Sequence, residues 1–207
     1  IPYDTHGVVA ADINLSEARD KQWHSTGDRF ADRRPATYGV LGRPFNETPL
    51  AALLRQPLIP EQATAKTAAV QVHATSKPDS LEAAFEMIGH TAKLGVKLIV
   101  LPQHFACTTW LPDRSAAKDE AAKSAAHISR LSAIAKAYQC VIVFPTFETD
   151  NGRISPCAMI LGVDGMVIGR YRQVHLEPEM RAWALAGDQF PVFTTPYGRL
   201  GVVLGYD

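Results

Sequence analysis

The chain has 207 residues, 46% of them hydrophobic, which suffices for one ordinary core or slightly more than one domain. Lys plus Arg equals Asp plus Glu at 21 each, so there is no net charge and no electrostatic case for a nucleic-acid or anionic-membrane partner. The longest apolar runs, such as Leu98 to Pro102 and Val141 to Pro145, are the length of buried strands and far too short to span a bilayer. No basic segment followed by an apolar stretch opens the chain, so no signal peptide is expected. The first residue is Ile1 rather than Met, so the natural start is expected to lie elsewhere. Cys107, Cys140 and Cys157 are odd in number, without paired or metal-type spacing. A reducing, cytoplasmic compartment and the absence of any metal or organic cofactor are the expectations.

In chain order, Val8 to Ile13 reads as a strand, and Ser16-Glu17 as a helix start. Pro44, Pro49, Pro57 and Pro60 break residues 43–66 into a linker or extended arm. From Thr67 the pattern is regular. Ala68 to Val72 reads as a short strand. Asp79 or Ser80 caps a helix with the apolar face Leu81, Ala84, Phe85, Ile88 and Ala92, and Gly95 ends it. Lys97 to Pro102 reads as the next strand. A second amphipathic helix passes through Ile128, Leu131, Ile134, Ala135 and Tyr138. Strands then follow over Cys140 to Phe147, Ala158 to Val163, Met166 to Tyr171 and Leu200 to Leu204. Asn151-Gly152 and Asp164-Gly165 are hairpin turn dipeptides between them. Alternating strands and helices followed by a meander predict an α/β layered domain with a mixed sheet.

Four ordered motifs resemble the front half of a carbon–nitrogen hydrolase (nitrilase superfamily) domain. Ala69-Val70-Gln71 resembles the opening strand, and Leu98-Ile99-Val100-Leu101-Pro102 the strand that delivers the catalytic glutamate just after the proline. Gly169 to Leu176 resembles the strand and loop that present the catalytic lysine, and Thr195 to Asp207 the segment ending at the nucleophile. The resemblance covers residues 67–207 and implies an αββα sandwich. Residues 1–42, with Gly7 to Leu15 and then Arg33-Arg34-Pro35-Ala36-Thr37-Tyr38, are similar to the final strand and C-terminal arm of the same family. That order implies a tandem junction, or else a circular permutation: the end of one domain, a Pro-rich linker over 43–66, and the first half of the next. The missing half of the sandwich would come from a complementary nitrilase-like half or subunit, in an oligomer.

The family attacks amide or nitrile carbons with a cysteine thiolate, moves protons with a glutamate and steadies the oxyanion with a lysine. By the resemblance these positions fall on Gln103 (glutamate), Gln173 (lysine) and Gly205 (cysteine), separated by 70 and then 32 positions. All three are changed. Gly205 cannot form a covalent intermediate, Gln103 cannot act as a general base, and Gln173 carries no charge. No nitrilase or amidase turnover is expected. Exchanging both members of a Glu–Lys pair for Gln removes both charges together, and the two amides are expected to face each other as a neutral hydrogen-bonded pair.

Further pocket candidates are Glu179, near where relatives keep a second carboxylate, His175, Tyr206, and the tryptophans Trp110 and Trp183 beside the motif loops. Each has a plainer reading, as a solvated acid, a structural histidine, or packing aromatics. Cys107, four positions after Gln103 and near His104, is considered as a displaced nucleophile, with an inert loop cysteine as the favoured alternative. The sequence thus predicts a catalytically degenerate domain with a structural, assembly or small-molecule-binding role. The alternative is a non-catalytic segment of a larger enzyme whose intact triad lies elsewhere.

Overall fold

Two long strands, β5 (Val141–Asp150) and β6 (Arg153–Leu161), are buried along most of their length on both faces. That requires cover on each side, and the unbroken apolar runs in their sequence are the consequence. The computed structural model describes residues 22–23, 27–28, 32–38, 44–47, 64–71, 80–107 and 112–207. The predicted strand over Val8 to Ile13, the helix start at Ser16 and Trp110 lie outside the described residues.

The chain divides into two units, with the boundary between Arg33 and Arg34. In the first, β1 (Gln22–Trp23) and β2 (Gly27–Asp28) pair antiparallel. The second holds a five-stranded sheet of order β3-β4-β5-β6-β7, with β3 (Thr67–Ala69), β4 (Leu98–Val100) and β7 (Val167–Arg172) completing it. The strands β3, β4 and β5 run parallel, and β6 and β7 return antiparallel. The parallel connections are helical: α1 (Ser80–Lys93) and α2 (Arg114–Tyr138). This is the mixed α/β sheet that the strand and helix pattern predicts, with Asn151-Gly152 turning β5 into β6 at positive φ.

The two-residue period of the strands sorts their side chains by face. Ile142, Phe144, Cys157, Met159 and Leu161 point into a core shared with Phe85, Ile88 and Ala92 of α1 and Leu131 and Ala135 of α2. Their neighbours Val141, Val143, Ala158 and Ile160, with Tyr171, form a second core under Phe193 and Leu200. Those two come from a hairpin of β8 (Val192–Thr195), which the sequence does not predict, and β9 (Gly198–Gly201), which overlaps the strand predicted over Leu200 to Leu204 only at Leu200 and Gly201, Val202 to Leu204 being irregular. Gly169 makes the packing possible, because a Cβ there would lie 2.2 Å from the Phe193 ring.

Helix α1 matches its predicted face. Helix α2 begins 14 residues before Ile128, capped by Asp113, whose side chain accepts from Ala116 N at 2.8 Å. Ahead of Ile128 it buries Ala117 and a polar pair, Glu120 and His127, joined at 3.0 Å. Tyr138, predicted on the buried face, is 38% exposed. Among the described residues no helix is long and apolar enough to cross a membrane.

Candidate functional site

Three chain segments converge at one end of the sheet. Beyond β4, Leu101 and Pro102 lead into a turn in which Phe105 N donates to Pro102 O, and this turn carries Gln103. Gln173 follows directly on β7 and is fully buried. Gly205 lies in the turn after β9, with φ at +48°. Residues 70 and 32 positions apart in the chain are thereby placed around a single side chain, and that side chain is Glu177.

Gln103 Nε2 donates to Glu177 Oε1 at 3.1 Å, and Gln173 Nε2 donates to Glu177 Oε2 at 2.9 Å. Gln173 Nε2 also donates to the His175 carbonyl at 2.8 Å, which fixes which end of the amide faces the carboxylate. Gln173 Oε1 is buried with no hydrogen-bond partner. A Cβ on Gly205 would lie 2.1 Å from Glu177 Oε1 and 2.7 Å from Gln173 Nε2. The space in which any side chain at position 205 would begin is already taken.

This corrects two expectations. The two glutamines do not pair with each other, and they are not a self-contained pair, because the Glu177 carboxyl group lies between them. The acid is Glu177, whereas Glu179 is exposed on the 3-10 turn Pro178–Met180. Both acids stand in the same Leu176-Glu177-Pro178-Glu179 stretch, and no local pattern separates them.

A second network braces the same loop. Asp207 accepts from the backbone N–H groups of Val174 (3.1 Å), His175 (2.8 Å) and Leu204 (3.1 Å), and from the Tyr171 hydroxyl. Burial and this carboxylate together push the Tyr171 hydroxyl's pKa upward. His175 Nδ1 lies 3.1 Å from Asp207 Oδ1, and its Nε2 lies 2.5 Å from the Tyr38 hydroxyl. Arg34 donates to the carbonyls of Val174 (2.9 Å) and Gly187 (3.3 Å). Both ring nitrogens of His175 are thus engaged, and Arg34 and Tyr38, read from sequence as part of the preceding arm, belong to the second unit and brace this loop. Tyr206 is 42% exposed, and Trp183 packs beside Phe147 with centroids 6.3 Å apart, in the apolar cluster that includes Leu176 and Met180.

Cys107 is no displaced nucleophile. Burial pushes its thiol up to about 12, with Glu120 adding to the effect, so it stays protonated at neutral pH. His104 adopts a left-handed φ of 59°, and its ring stacks on Phe147 at 5.6 Å. Desolvation holds this histidine down at about 4. Its folded value lies below the usual 6.5, so only the unfolded chain gains a proton as pH falls between the two. Stability should therefore be intact above about pH 6.5 and decline toward pH 4, at no more than about 1.4 kcal/mol per unit. Urea unfolding across that range checks this. The His104→Asn variant, which tolerates the left-handed backbone, should show a shallower slope.

A mixed sheet with two helices on one face and a hairpin on the other, and a polar cluster where β4 and β7 end, defines a nitrilase-type α/β layered fold. Residues 66–207 match the carbon-nitrogen hydrolase family, and the chain belongs to that family. It is 27% identical over 158 residues to the omega-amidase NIT2 of Mus musculus, covering 70% of this chain and 55% of that protein. It is 28% identical over 147 residues to the omega-amidase NIT2 of Xenopus tropicalis, covering 63% of this chain and 50% of that protein. The chain therefore spans about half the length of these curated relatives. Among solved structures, a mutant of the amidase from Nesterenkonia sp. AN1 in complex with butyramide has the same fold. Its TM-score is 0.61 at 23% identity, covering 73% of this chain and 59% of that one. A carbon-nitrogen hydrolase from Helicobacter pylori G27 aligns with a TM-score of 0.58 at 20% identity, covering 67% and 51%.

Proposed function

We propose that this is a nitrilase-fold domain that does not hydrolyse carbon–nitrogen bonds and that serves a structural, assembly-forming role. The observation that carries the reading is at Gly205. The position to which the family nucleophile carries over has no side chain, and Glu177 occupies the volume one would need. Around it, Gln103 offers an amide that does not titrate, and Gln173 has no charge to set against an oxyanion. A site filled by its own side chain favours a structural role over the uptake of an external amide.

The partner of this reading is a complementary nitrilase-like half or subunit, in a tandem arrangement in which the residues before Arg34 close a preceding domain. One observation supports it: large apolar side chains are exposed on and beside the strands that follow β6, among them Met166 at 66%, Val203 at 65% and Val192 at 52%. Three free, buried cysteines support a reducing compartment such as the cytoplasm.

The test is direct. The full polypeptide is incubated with butyramide and other aliphatic amides and nitriles, released ammonia is assayed, and intact and peptide masses are recorded. No ammonia and no adduct are expected. A thioester or thioimidate on any residue of 66–207 would overturn the proposal. Ammonia released without such an adduct would favour a second reading: an intact Glu, Lys and Cys set elsewhere in the same polypeptide.

A further inference from the structure

We infer that the cluster where β4 and β7 end is a carboxylate-binding site whose resident ligand is the protein's own Glu177 side chain. The inference deepens the non-hydrolytic reading by naming the ligand class, and its test reads binding rather than turnover, so the two can fail separately.

Each carboxylate oxygen of Glu177 has its own amide donor, and the donors come from different parts of the fold. Gln103 is carried by the turn after β4, and Gln173 by the end of β7. Neither donor titrates, so the pair offers hydrogen bonds to an anion without a cation. Gln173 cannot turn its oxygen toward the carboxylate without giving up its bond to the His175 carbonyl as well. Gly205 completes the cradle, since a Cβ there would fill the volume that Oε1 uses. Glu177 itself is only 9% exposed. A buried anion held by neutral donors, and by a wall lacking a side chain, is a site shaped for a carboxylate group. The group's covalent tether to position 177 is incidental to that shape. Removing the tethered carboxylate should leave a cavity selective for a small free monocarboxylate such as formate or acetate.

The experiment uses the Glu177→Ala variant of the full polypeptide, unfolded at neutral pH in sodium formate or sodium acetate and, separately, in sodium chloride at equal ionic strength. The expected result is a saturable stabilisation by the carboxylates and not by chloride. It should reach about a tenfold shift in the folding equilibrium when acetate is at about ten times its Kd. The unaltered protein, with its site occupied, should respond to acetate and chloride alike. Adding Gln103→Leu to the variant removes one donor and should weaken the acetate response. If Glu177→Ala does not fold in chloride, recovery of soluble protein by refolding in acetate alone supports the site equally. Identical behaviour in acetate and chloride, by stability or by recovery, would overturn the inference. So would an acetate response in the unaltered protein as large as in the variant, or one that is indifferent to Gln103→Leu.

Discussion

Gln103→Glu is expected to destabilise the protein by about 3–5 kcal/mol, while Gln173→Lys should cost much less, and the asymmetry is the informative result. The substitution at position 103 sets a second carboxylate where an amide donor now lies 3.1 Å from Glu177 Oε1. Two like charges at that distance in a largely buried site repel, and the hydrogen bond is lost as well. At position 173 the new ammonium meets Glu177 instead, 2.9 Å from where Nε2 now lies, and gains a partner of opposite charge. Its cost is the desolvation of that ion, offset by the pairing. The double variant should fall between the two, because the lysine then serves both carboxylates. Denaturant midpoints of the three variants check this. If the two single changes cost the same and add, the glutamines do not share Glu177.

Gly205→Ala is expected to cost about 3–4 kcal/mol, and most of that cost should vanish when Glu177 is also replaced by Ala. The penalty has two parts. A non-glycine residue at φ +48° costs about 1 kcal/mol, and this part persists in any background. The rest arises because the new Cβ would sit 2.1 Å from Glu177 Oε1 and force the carboxylate off its two amides. Hydrogen bonds to a charged group are worth about 1.5–3 kcal/mol. A double-mutant cycle on unfolding free energies should therefore return a coupling of about 2 kcal/mol between positions 205 and 177. Simple additivity would mean that the carboxylate does not occupy the space beside Gly205.

Both expectations differ from the one that the chain suggests before it is folded. There, two glutamines in the place of a Glu and a Lys read as a self-satisfied neutral pair. That reading fails through one residue. Glu177 lies four positions beyond Gln173 in a Pro-containing loop, where no helical or strand period says which way a side chain points. Only closure of the loop, by Asp207 on the backbone of Val174 and His175 and by Met180 N on the Glu177 carbonyl, turns Glu177 inward and leaves Glu179 outside. The same holds for β8. Val192 to Thr195 reads as strand only once Phe193 has a glycine-lined strand to lie on, and that strand is more than 20 positions earlier.

The features legible from the chain alone are those whose cause is local or periodic. Leu81, Ala84, Phe85, Ile88 and Ala92 declare a helix face by their spacing. The strands beside Asn151-Gly152 and Asp164-Gly165 declare hairpins by their turns, and four ordered motifs point to the carbon–nitrogen hydrolase family. The replacement of the three family positions by Gln103, Gln173 and Gly205 is equally a fact of the linear chain. Which side chain fills the vacated volume is a different kind of fact. It depends on a carboxylate reaching two amides from separate strands and on a missing Cβ from a third segment, all within about 3 Å. A contact of that kind couples residues through space, and spacing along the chain carries no information about it.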